Sequence, residues 1–263
     1  MNIEELKTHY LKIYSDFNKR GFRYKMSIMG TLVPAFIFNI YKFYGRNHYI
    51  DFHNQHTITF IILIVIGTIV FFGVNLLVLD SMTFISQRKV VTIKNNFKHD
   101  LRSIIETEIP EIIDYIYYQK IHPNTFFSSG FFKSRNDEYL GDDWMKGMYK
   151  DVSFELCELC VYKVYKKTFN GIFVHLTFDE DKVNRKLSIN DFDEETQEII
   201  TQFMNTYNAE ISISNVDYKM YMLVRIKGIF FENKNENSIL KLDKDLNMLK
   251  DLVKITKQVI DYR

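Results

Sequence analysis

VSFELCELCVYKVY, residues Val152–Tyr165, decides the reading of this chain. Val152, Phe154 and Leu156 alternate with Ser153 and Glu155, the period of two of a strand with one face toward a core. Working outward, further β-type runs appear at Gly171–Phe178, Arg185–Ile189, Ala209–Ser214, Lys219–Phe231 and Ser238–Leu242. A helical pattern at Glu194–Tyr207 sits among them. A second runs from Lys244 to Tyr262, with Leu246, Leu249, Leu252, Val253 and Ile260 on one side. Strands with a few helices and no strict alternation predict a mostly antiparallel α+β domain over residues 121–263.

The same stretch contains Cys157-Glu-Leu-Cys160, the spacing of a redox pair or half a zinc site. On a strand, however, side chains three apart point to opposite faces, with Cα atoms about 10 Å apart. A disulfide needs less than about 7 Å. The two thiols are therefore expected to be independent, and no second cysteine or histidine pair follows to complete a zinc site.

Toward the N-terminus the character changes. Thr57–Leu79 carries no charged side chain, and as a helix it reaches about 34 Å, enough for a hydrocarbon core of about 30 Å. Met26–Tyr41 is also uncharged, with Pro34 and Asn39 inside it. The expectation is a transmembrane hairpin over 26–81, with spans at about 26–42 and 57–80. Lys7, Lys12, Lys19, Arg20, Arg23 and Lys25 precede it; Arg88, Lys89, Lys94, Lys98 and Arg102 follow it. Only Lys42 and Arg46 lie between the spans, so both termini are expected in the cytoplasm.

Ile3, Leu6, Tyr10, Ile13 and Phe17 form the stripe of an amphipathic helix within residues 1–25, read as packing on the protein itself, with a place on the inner leaflet as the alternative. Residues 82–120 read as a helical stalk. Ile93, Phe97, Leu101, Ile104 and Ile105 recur at helical spacing, and Ile109, Ile112, Ile113 and Ile116 continue the pattern. Pro110 predicts a kink or a restart there.

The layout of two spans, a stalk and an α+β domain resembles an uncharacterised bacterial family, the domain of unknown function 3137. SSGFF at 128–132, followed by Tyr139-Leu-Gly-Asp-Asp-Trp144 and Lys146-Gly147, resembles its aromatic-rich segment and Gly-Asp-aromatic turn. Val152-Ser-Phe-Glu-Leu156 resembles its Ser-Glu strand, and Thr168-Phe-Asn-Gly-Ile-Phe173 its Phe-x-Gly strand entry. Phe203-Met-Asn-Thr-Tyr207 and Tyr221–Glu232 match its later helix end and strand. The family's helix between those two points has no counterpart, because Tyr207 is followed by Lys219 after only residues 208–218. The resemblance implies a fold and a membrane topology, and no activity.

The net charge of +1 and a pI near 7.7 exclude the basic surplus of a nucleic-acid protein. No phosphate-cradling loop, dinucleotide fingerprint, nucleophile elbow or zinc-protease motif is present, so no cofactor is expected. His48, His53 and His56 lie in the loop between the spans and read as interfacial residues rather than metal ligands. Gly141-Asp142-Asp143 and Asp179-Glu180-Asp181 read as solvated turns. Glu155 is a carboxylate on a strand with no partner recognisable in the sequence.

What the sequence supports is an integral inner-membrane protein with a cytoplasmic binding or scaffold domain and no catalytic centre. Its partners would be the bilayer, an unidentified cytoplasmic protein, and a second copy through the spans and stalk. Contact residues are sought in the aromatic segment, at Phe127, Phe131, Phe132 and Trp144, since exposed aromatic clusters mark interfaces. Filling the domain's core is the competing role for the same rings. Asn39 and Asn75, the polar residues of the spans, are assigned to helix packing. The alternatives are an oligomeric membrane effector or pore, and an enzyme built around Glu155, Asp142 and Asp143.

Overall fold

Twelve residues long, Val152–Lys163 is a central strand of the computed structural model, which describes residues 1–20, 22–23, 88–132, 138–163, 166–178, 188–216, 218–226, 231 and 236–262. The strands are β1 (Ile112–Ile116), β2 (Glu138–Tyr149), β3 (Val152–Lys163), β4 (Lys166–Thr177), β5 (Glu210–Val216) and β6 (Lys219–Arg225). They form one six-stranded sheet in the order β1-β2-β3-β4-β6-β5, every neighbour antiparallel. The helices are α1 (residues 3–20), α2 (88–108), α3 (Pro123–Ser128), α4 (Glu194–Tyr207), α5 (Glu236–Leu240) and α6 (Leu242–Asp261).

Cross-strand partners assign the two sheet faces. Glu155, Cys157, Leu159 and Val161 of β3 face the same way as His175, Phe173, Gly171 and Phe169 of β4. Tyr221 and Leu223 of β6 continue that face. Phe154, Leu156, Ile172, Val174, Leu176, Met220, Met222 and Val224 take the opposite face, and all are buried. Gly171 permits the β4–β6 approach, since a Cβ there would lie 1.9 Å from the Val224 carbonyl oxygen.

Local chemistry fixes the helix ends. Asp193 caps α4 by accepting from the Thr196 amide at 2.7 Å, and Asn208 closes it in the left-handed conformation that Asn tolerates. The α6 apolar stripe is buried from Leu242 to Ile260. Lys257 joins α6 to Glu111 at 2.5 Å, and Tyr207 of α4 donates to Asp251 of α6 at 2.7 Å.

The described residues divide into two compact units, 1–11 with 96–263, and 12–95. In the first unit, Leu6 and Tyr10 of α1 are buried. Tyr10 meets Phe97 edge-on at 5.1 Å and donates to Asp100 at 2.8 Å. The second unit is described at its two ends, both helical, where Thr92 donates back to the Arg88 carbonyl at 3.1 Å.

Several expectations change. The spans at 26–42 and 57–80, with Asn39, Asn75 and the loop histidines, fall outside the described residues, as do Asp179-Glu180-Asp181. Among the described residues no helix is long and apolar enough to cross a membrane. The long helices are amphipathic instead: α6 carries Lys244, Lys250, Asp251 and Lys254 between its buried leucines. The class is thus corrected to α+β with an antiparallel six-stranded sheet, and the multi-pass inner-membrane assignment is not carried further. The helical pattern of the stalk stops at residue 108, and Ile112–Ile116 pairs with β2 as a strand. Pro110 ends the helix, and the following Ile-Ile-Asp-Tyr-Ile suits a pleated surface. Ser238–Leu242, read as a strand, spans the end of α5 and the start of α6.

Candidate functional site

The carboxylates singled out in the sequence do not converge. Asp142 and Asp143 lie within β2, where the pairing with β3 slips between Asp142 and Met145. This bulge places Asp143 at φ 54, a conformation Asp tolerates better than most residues. The Gly-Asp-Asp sequence was read as a solvated turn because bulges and turns use the same residues. Here the bulge turns Asp143 inward, where it accepts from the Lys98 ammonium of α2 and the Tyr115 hydroxyl of β1. The Lys98 and Asp143 side chains are 2% and 1% exposed. Tyr115 pairs with Met145, which pairs with Leu156, so α2 lies against the Leu156 face.

Burial pushes the Asp143 carboxyl up to about 6, opposed by the Lys98 charge and raised further by Asp142. Burial also holds the Tyr115 phenol well above its usual range, and the Asp143 charge adds to this. Asp245 of α6 is likewise pushed up to about 6 by burial, while the Phe231 amide, donating at 3.2 Å, pulls it down. A lysine closed in with a carboxylate and a phenol has no route for substrate. Its physical role is to join α2, β1 and β2 by an ion pair whose partners cannot turn to water.

Glu155 belongs to the other face. Its carboxylate meets His175 Nδ1 at 3.2 Å, and His175 Nε2 meets Thr177 Oγ1 at 3.3 Å. His175 stacks on Tyr221 with ring centres 5.1 Å apart. The sequence does not reveal this partner, which the antiparallel register of β3 and β4 places directly opposite Glu155. Cys157 and Cys160 sit on opposite faces of β3, both as free thiols. Burial pushes the Cys157 thiol upward. Among the described residues, no three His, Cys, Asp or Glu side chains gather as a metal cage.

Beside the Glu155–His175 pair, the same face becomes aromatic. Phe126, Tyr139, Trp144, Cys157, Leu159, Val161, Phe169, Phe173 and Tyr221 form one buried layer with Ile121. α3 lays Phe126 onto it. His122 Nδ1 accepts from the Asn124 amide, Pro123 opens the helix, and the Ser129 hydroxyl donates to the Phe126 carbonyl at 2.7 Å. Phe126 stacks on Tyr139 at 4.3 Å and on Phe132 at 4.6 Å. Phe127, Phe131 and Phe132 are half-buried against the layer, whereas Trp144 is 9% exposed and belongs to its interior. Within the segment, Phe126 and Trp144 are core, and the three phenylalanines form a partly buried cap over it.

No family model, curated protein or solved structure matches the chain. The family resemblance drawn from the sequence rests on its quoted motifs alone.

Proposed function

We propose that the chain is a non-catalytic binding module that holds a polypeptide partner against the cap formed by Phe127, Phe131 and Phe132. One observation carries the reading: three phenylalanines within six positions stay only partly buried, gathered at one place on a layer whose central residues are buried and stacked. Rings held in place lose little conformational freedom on binding, and such anchors dominate interface energies. The groups with the chemistry for proton transfer are divided between two faces, and Asp143, whose carboxyl burial pushes up to about 6, is sealed. That arrangement favours binding over catalysis.

The test is affinity capture by the full-length chain and by a Phe127→Ser/Phe131→Ser variant. A partner retained by the first and lost by the second, with melting temperatures within a few degrees, supports the reading. A partner captured equally by both removes the cap from it.

A further inference from the structure

The cap has a margin, and among the described residues cations predominate on it. This inference rests on the binding reading above and deepens it. Lys120 Nζ lies 4.3 Å from the Tyr139 ring centre, the ring that stacks on Phe126. Gly141 admits it, since a Cβ there would be 2.5 Å from the Lys120 Cβ. The Arg225 guanidinium lies 5.5 Å from the Phe169 ring, which meets Phe132 edge-on at 6.1 Å. Lys163 and Lys166 complete the margin at the β3–β4 hairpin. They are exposed, lie next to Val161 and Phe169 in the layer, and stand directly opposite each other.

Like charges placed opposite on a sheet repel, and no described carboxylate forms an ion pair with either lysine. The carboxylate that Arg225 meets, Glu210 at 3.4 Å, is itself 80% exposed. Among the described residues of this face, Glu155 is engaged by His175 and Asp114 by Arg102 at 3.0 Å. A chain of net charge +1 has thus concentrated four cations around an apolar cap. Local conflicts of this kind occur where function requires them.

We propose that the docking partner is an acidic polypeptide segment, its carboxylates meeting Lys120, Lys163, Lys166 and Arg225 while its apolar side chains cover Phe127, Phe131 and Phe132. Steering by such a rim raises the association rate and selects partners by charge. A polypeptide fits better than a nucleic acid, because the cap rings are packed edge and face against one another, and the chain lacks the overall basic surplus that phosphate polymers attract.

The test uses the full-length chain and short fluorescein-labelled peptides. One alternates glutamate with leucine and phenylalanine; the other carries lysine in place of each glutamate. A thymidine oligonucleotide is the third probe. The acidic peptide is expected to bind about tenfold more tightly than the basic one and to weaken with added salt. Lys163→Glu/Lys166→Glu, on an exposed hairpin, is expected to remove about tenfold of that affinity without lowering the melting temperature. Equal binding of the two peptides overturns the acidic partner. The cap reading then survives if Phe127→Ser/Phe131→Ser still weakens both. Tighter binding of the oligonucleotide overturns the proposal in favour of a nucleic acid. Binding of none of the three overturns the inference, leaving the capture experiment to decide the cap reading.

Discussion

The Lys98 ammonium and the Asp143 carboxylate form an ion pair closed off from solvent, joining a helix to a bulge in the middle of a strand. A sealed pair costs more to break than to replace. Lys98→Met strands the carboxylate and is expected to destabilise the fold by about 3–5 kcal/mol. The double variant Lys98→Met/Asp143→Leu is expected to recover much of that loss. Denaturant midpoints of the single and double variants check this; equal losses in both would show that packing, not charge, holds the site.

Stability is expected to rise on mild acidification. Asp143 and Asp245 both have carboxyls pushed up to about 6 in the fold, from an ordinary value of 3.8. Folding therefore favours their protonated forms. Their contribution is fully present below about pH 3.8 and is lost as pH rises through about 6. Glu111, held below its usual range by Lys257, works in the other direction and loses its contribution as pH falls below about 4.5. Melting temperatures across pH 4 to 8 should peak near pH 5. Asp143→Asn should flatten the limb between pH 5 and 7.

The strand alternation of β3 was legible because Phe154 and Leu156 are buried on one side while Glu155 is not. The α4 boundaries, Glu194 and Tyr207, were legible because Asp193 caps the helix and Asn208 closes it. β2 was not, since its Gly141, Asp142, Asp143 and Gly147 are turn residues by composition. Gly147 is there because the Phe154 ring would lie 2.1 Å from a Cβ. Asp143 is there because the bulge needs it. The burial of Lys98 was equally hidden, because on α2 it sits among charged neighbours that face water. The cap was half legible: the aromatic cluster was visible, but only packing separates Phe126 and Trp144 from Phe127, Phe131 and Phe132.

Gly171→Ala is expected to cost about 1–3 kcal/mol, the range for forcing atoms into a packed site. The obstacle is the Val224 backbone carbonyl, which cannot move without disturbing the β4–β6 pairing. Urea denaturation measures the loss, and a change below about 0.5 kcal/mol would contradict the close approach.

The two cysteines should behave as unrelated thiols. Cys157 is buried and its thiol is pushed up, so it should resist maleimide in the folded chain, while Cys160 on the other face reacts. Mass spectrometry after labelling should show one adduct under native conditions and two in denaturant. A disulfide between them on mild oxidation would contradict the strand geometry.

The central claim, that the cap receives a partner, is tested most directly by site-specific photocrosslinking. Benzoylphenylalanine in place of Phe131 should give an adduct with the captured partner. The same group in place of Met148, exposed on β2, should give none. An adduct from position 148 with none from position 131 would contradict the account.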